Sequence, residues 1–154
     1  GYHFEGAQAS QDLLICKELG LYKPFFTLEK MRILGELPWS GEFSASALIK
    51  ISVENISEVT ASEGDGPVHA MDRSLRKALE VFYPEIKNVK LTDYKVRVLD
   101  TQATASHVRV LIESGDKEEL WNTIGVSTDI LEASWIALVD SLEYKLMKIE
   151  LAGK

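Results

Sequence analysis

The sequence predicts an α+β protein built from two βββα units related by a pseudo-twofold, with helices packed against antiparallel sheets and an N-terminal helical segment. Three observations carry this reading. Strand-like alternation in three successive segments is followed each time by a helix with an apolar stripe. That order occurs twice. A shift of 63 residues superposes the two copies, carrying Arg32 onto Lys95, Thr60 onto Thr123, Ala70 onto Ala133, Leu75 onto Leu138 and Leu79 onto Leu142. Few side chains are identical, so matched order is the stronger argument. The middle strand is expected to need a small gap, after which Lys50 meets Arg109 and Ile51 meets Val110.

The first element is a helix over residues 5–19, with Leu13, Leu14, Cys16 and Leu19 on its apolar side. Gly20 is placed to end it, and Pro24 blocks continuation. Gly1, followed by Tyr2 and Phe4, has the texture of a piece from a longer chain. "KMRILGEL" forms a strand before a turn at Pro38–Gly41. "SALIKISVEN" and "ISEVTAS" form the next two, joined tightly around Glu54 and Asn55. The first long helix starts at Pro67, where the missing N–H costs nothing, and stops at Pro84. Its stripe is Val68, Met71, Leu75, Leu79 and Phe82. "LTDYKVRVLD", "HVRVLIES" and "LWNTIGVS" supply the second set of strands. The last helix begins near Thr128 or Asp129 and carries Leu131, Trp135, Leu138, Leu142 and Leu146.

Composition narrows the function. With 154 residues, 45% hydrophobic and 27% charged, the chain suits one ordinary globular domain with an appendage. A single cysteine, Cys16, excludes an intrachain disulfide and a multi-cysteine metal site. The net charge of −7 and the scattering of basic residues in short pairs such as Arg76–Lys77 speak against nucleic acid as a partner. No apolar run reaches the length of a membrane span, so no membrane partner is expected. His3, His69 and His107 are far apart and form no metal or acid–base signature; no metal and no cofactor is expected.

The stretch "EGDGPVHAMDRSLRKAL" contains a two-glycine turn leading into a helix. It lacks the lysine of a phosphate loop and the second half of a dinucleotide fingerprint. As a purely structural turn, its glycines give backbone freedom and Asp65 satisfies free N–H groups. As a ligand site, the same N–H groups hold an anion. The small-residue connection Thr101–Ser106 leaves room for a ligand or for another backbone, and Ser106 and Ser127 have no neighbouring base to activate them. From the residues alone the chain is a binding or association module and no enzyme is evident.

Taken together, "EGDGPVHAMDRSLRKAL", "LTDYKVRVLD", "TASHVRVLIES" and "WNTIGVSTDILEASWIALVDSLEYKL" resemble the C-terminal regulatory domain of the 2-isopropylmalate synthase and citramalate synthase group. The resemblance covers residues 43–146. "FYPEI" and "WNTIGVS" bring it closer to the (R)-citramalate synthase branch, although Asp65 departs from the group's common GNGP form. The resemblance implies that residues 1–29 are a linker remnant and residues 30–150 the amino-acid-binding domain. The parent would condense acetyl-CoA with pyruvate in a metal-dependent TIM barrel, which is absent here, so this chain is not expected to be an enzyme. It implies a cytoplasmic homodimer that contacts the barrel of its own polypeptide and binds isoleucine as feedback effector. Alternatives are leucine sensing, as in 2-isopropylmalate synthase, and dimerisation without a ligand.

For such an effector, the free backbone N–H groups of the turn Gly64, Gly66 and Val68, which Pro67 carries into the helix, or those at Thr128, Asp129, Ile130 and Leu131, are candidates to hold the α-carboxylate. Asp65, Asp93 and Asp100 are candidate acceptors for its ammonium. Leu91, Tyr94, Leu99, Ile130 and Leu131 are candidates for an apolar pocket, with Ala103 and Ala105 leaving space. Tyr94 and the glycine turn match segments that lie near the effector in the family.

Overall fold

The computed structural model describes residues 7–36, 44–99 and 106–153. These fall into two compact units: Phe25–Asn88, and the residues from Val89 onward together with those before Phe25. The turn expected at Pro38–Gly41, and the connection from Asp100 to Ala105, lie outside the described residues.

The first unit holds strands β1 (Thr27–Glu36), β2 (Ser44–Val53) and β3 (Ile56–Gly64), helix α2 (Pro67–Phe82) and a short 3₁₀ turn at Pro84–Asn88. The strands form one antiparallel sheet in the order β1-β2-β3. Glu54 and Asn55 make the two-residue hairpin, with φ of 49° and 69°, the left-handed pair that matches the twist of the flanking strands. Along β2, Ala45, Ala47, Ile49 and Ile51 are buried at every second position. Val68, Met71, Leu75 and Leu79 of α2 are buried as the stripe predicts, while Phe82 is half-buried. Pro84 ends the α-helix but the chain continues in the 3₁₀ turn, which buries Ile86. Tyr83 donates to the carbonyl of Phe25 at 2.7 Å and packs edge-on to its ring.

The second unit holds α1 (Gln8–Glu18), β4 (Lys90–Val98), β5 (Val108–Gly115), β6 (Leu120–Ser127) and α3 (Ile130–Ala152). Its sheet runs β4-β5-β6, again antiparallel. Helix α1 packs against β6 and α3. It ends as expected at Gly20, whose φ is 69°. The Leu21 and Gly20 N–H groups donate back to the carbonyls of Cys16 and Lys17, the paired bonds of a Schellman motif. Of the apolar side expected from large residues, only Leu13 is buried. Ala9, Ser10 and Leu13 are buried, whereas Leu14 and Leu19 are 43% and 66% exposed and Cys16 is half-buried. Small side chains let this short helix approach closely, and that decides the face.

The two units repeat each other in detail. In β1 and β2 the register runs Met31↔Ile49 and Ile33↔Ala47; in β4 and β5 it runs Tyr94↔Ile112 and Val96↔Val110. Each is displaced by 63 residues. The same irregularity falls between Leu28 and Lys30 and between Leu91 and Asp93. Thr60 faces Ile49 and Thr123 faces Ile112. The shift therefore holds through the middle strand without a gap, and Lys50 does not correspond to Arg109. Aligning the two cations matched similar exposed charge. The buried alternation sets the register instead.

A hydrogen bond is duplicated as well. The Thr60 hydroxyl donates to the Ser74 carbonyl at 2.7 Å, and the Thr123 hydroxyl donates to the Ala137 carbonyl at 2.7 Å. Each ties the last strand of a sheet to the middle of its covering helix.

Candidate functional site

The two helix starts occupy corresponding places, Gly66 and Asp129 being 63 residues apart, yet they differ chemically. At α2 the flanking residue is Gly66, in extended backbone, and no side chain caps the helix. Asp65 is exposed and makes no hydrogen bond among the described residues, so it does not satisfy the first-turn N–H groups as expected. The glycines also differ. A Cβ on Gly64 would stand 2.6 Å from the Ala70 nitrogen, so β3 and α2 touch there; a Cβ on Gly66 would meet open space. Arg73 donates to the Glu63 carbonyl at 2.9 Å and fixes the strand end over the helix. The result is a turn tied to the helix by Arg73, with a positive helix end that carries no side-chain cap.

At α3 the Asp129 carboxylate accepts from the N–H groups of Leu131 and Glu132 at 2.7 and 3.3 Å. The Ser127 hydroxyl donates to Glu132 at 2.9 Å and accepts from the Asp129 N–H. This end is closed by its own acidic side chains.

The remaining candidates spread along the second sheet. Leu91 and Tyr94 pair with Ser114 and Ile112, placing them on the face that α3 covers, and both are half-buried. Leu99 is 37% exposed, and its N–H donates to the His107 carbonyl at 2.9 Å. Val98, Val108 and Ser127 lie side by side, so Leu99 and residues Thr128–Leu131 share one end of the sheet. Leu91 stands about 23 Å from Val98 along the same strand at the rise of an extended chain. Ile130 is 42% exposed and Leu131 half-buried. Asp93 accepts from the Tyr94 N–H at 2.8 Å and pairs with Lys95 at 3.5 Å. Asp100, Ala103 and Ala105 lie outside the described residues.

His69 and His107 are exposed. Among the described residues no group of His, Cys, Asp and Glu is arranged to hold a metal, and no helix is long and apolar enough to cross a membrane. Sequence reasoning did not pick out an ionic cluster on the second unit. Lys145 pairs with Asp116 at 2.5 Å and Glu119 at 3.6 Å, and Lys148 pairs with Glu119 at 2.7 Å. Burial works against the Asp116 charge, but Lys145 and the N–H groups of Glu118 and Glu119 outweigh it and hold the carboxyl below its ordinary range. The ammonium of Lys145 also lies 5.7 Å from the centre of the Trp121 ring. This cluster ties the β5–β6 turn to α3; its signal in sequence was only the Asp-containing turn.

Duplicated three-stranded antiparallel sheets, each backed by one helix, define the chain as a twofold-repeated α+β module. Residues 5–146 match the LeuA allosteric (dimerisation) domain, and the chain belongs to that family. It is 51% identical, over 99% of its length, to an (R)-citramalate synthase of Aquifex aeolicus, and 54% identical, over 97%, to one of Geobacter sulfurreducens. A 2-isopropylmalate synthase of Acetivibrio thermocellus is 32% identical over 76%. The chain spans about 29% of the length of the two citramalate synthases.

Proposed function

We propose that this chain is the feedback-sensing domain of a citramalate synthase and that it binds isoleucine. The observation carrying this reading is the contrast in identity: 51% and 54% to the two citramalate synthases against 32% to the 2-isopropylmalate synthase. Citramalate formation from pyruvate and acetyl-CoA leads toward isoleucine, which makes isoleucine the end product to sense. The open start of α2 supports the reading, since Gly66 and Val68 offer an uncapped helix end to the α-carboxylate. Asp65, exposed in the same turn, is free to meet the ammonium.

In this proposal residues 1–29 lead in from the catalytic part, and residues 30–150 sense the effector as a homodimer in the cytoplasm. Isoleucine shifts activity by binding one arrangement of the full enzyme better than the other. Calorimetric titration with isoleucine, leucine and valine tests it. Isoleucine is expected to bind most tightly, and the absence of heat with all three removes the sensor reading. Tightest binding of leucine would instead assign the chain to leucine sensing.

A further inference from the structure

A cavity of about 190 Å³ lies within the second unit between α1, β6 and α3. It is smaller than the roughly 300–1,000 Å³ of sites for drug-sized ligands, which suits a compact molecule of few heavy atoms. Its apolar walls include Leu13, Ile124 and Ile136; its polar groups are Ser10, Lys17 and Asp140. Each polar group has a distinct state. The Ser10 hydroxyl oxygen already accepts from the Ile124 N–H at 2.9 Å. The Lys17 ammonium stands 4.7 Å from the centre of the Tyr22 ring. Asp140 has no hydrogen bond or ion pair among the described residues. Burial pushes its carboxyl up to about 6, and the field of Lys17 pulls it partly back. One turn further along α3, Glu143 is already engaged, accepting from the Tyr22 hydroxyl.

A carboxylate set into an apolar recess without a partner is satisfied by a cation that brings hydrogen-bond donors and little else to solvate. A primary ammonium on an aliphatic body fits that description. Lys17, lining the same recess, adds a place for a negative group carried beside the ammonium.

We propose that this cavity is a binding site for a small aliphatic α-amino acid. Its ammonium docks on Asp140, its carboxylate is met by Lys17, and its alkyl side chain rests on Leu13, Ile124 and Ile136. The site is built from residues other than those at the start of α2 and stands without the effector role proposed for them.

The test is a titration of the isotope-labelled chain followed by amide resonances, with isoleucine, isobutylamine and isovalerate as probes. Isoleucine and isobutylamine are expected to shift the Ile124 and Ile136 signals, and isovalerate to leave them in place. Asp140→Asn is expected to weaken both amines about tenfold or more, the scale of a lost charge-assisted bond. Lys17→Gln is expected to weaken isoleucine alone, which keeps the test decisive if Asp140→Asn perturbs the fold. Shifts confined to Gly66 and Val68 would overturn this site while sustaining the effector reading. Unchanged isoleucine affinity in both variants would overturn it equally.

Discussion

The two βββα units share their skeleton and differ at their helix starts. Both keep the 63-residue register, the same strand irregularity and a threonine bonded to the covering helix. Yet α2 begins on an uncapped glycine, while α3 begins on an aspartate that accepts from two N–H groups. The comparison teaches that the shared part is what buries the helices, and that the helix starts, which face solvent, are free to differ. It also distinguishes the two positive helix ends: one is closed, the other available.

Breaking that likeness has its largest expected effect at the glycines that let helix and strand touch. A Cβ on Gly125 would fall 2.0 Å from the Ala133 carbonyl oxygen, against 2.6 Å from the Ala70 nitrogen for Gly64. Gly125→Ala is expected to cost about 3 kcal/mol and Gly64→Ala about 2 kcal/mol, as overpacking against backbone does. Urea unfolding measures both; a larger loss for Gly64→Ala would reverse the assigned order of closeness.

The threonine pair comes next. Thr60→Val and Thr123→Val are each expected to cost about 1 kcal/mol, because a buried hydroxyl loses its helix carbonyl. Losses differing by much more than 0.5 kcal/mol, roughly the error of such comparisons, would show that the duplicated bond is not equivalent.

At the caps the units are expected to diverge. Asp129→Ala should cost about 1 kcal/mol, and Asp65→Ala should stay within about 0.5 kcal/mol while lowering isoleucine affinity. A stability loss at Asp65 as large as at Asp129 would contradict the absence of a side-chain cap on α2.

The last expected effect, of similar size to a lost cap, depends on pH. The folded chain holds the Asp140 proton up to about pH 6, well above the ordinary 3.8 of the unfolded state. Ionising it therefore costs the fold above pH 6, and the cost disappears below about pH 4, where both states are protonated. Asp140→Asn should stabilise the chain by about 1 kcal/mol at pH 8 and leave it unchanged at pH 3.5. A gain that persists at pH 3.5 would mean that the carboxyl's charge is not its source. Asp116, held low by Lys145, should behave in the opposite sense: its contribution is present at neutral pH and fades only in acid.

Much of the fold was legible because periodicity reports burial. Val68, Met71, Leu75 and Leu79 recur at helical spacing, and Ala47, Ile49 and Ile51 alternate. The gap placed in the middle strand came from pairing Lys50 with Arg109, residues that carry similar charge but no register information. Helix α1 was read correctly at Leu13 but not at Leu14 and Leu19, because Ala9 and Ser10 bury themselves by being small, which no hydrophobicity pattern reveals. The site was less legible still. Sequence shows that Gly64 and Gly66 flank Asp65, but not that one glycine is crowded and the other open. Asp140 gave no signal at all, since its isolation depends on α1, more than a hundred residues earlier.

That distance has a consequence for the order of assembly. The Ser10 hydroxyl accepts from the Ile124 N–H across 114 positions, and the whole of Phe25–Asn88 is threaded between them. Closing so long a loop is entropically slow to reward, so α1 is expected to settle after the β4-β5-β6 sheet has formed. The Ile124 amide then becomes a clock. In pulse-labelling hydrogen exchange it should gain protection later than the amides that pair β5 with β6.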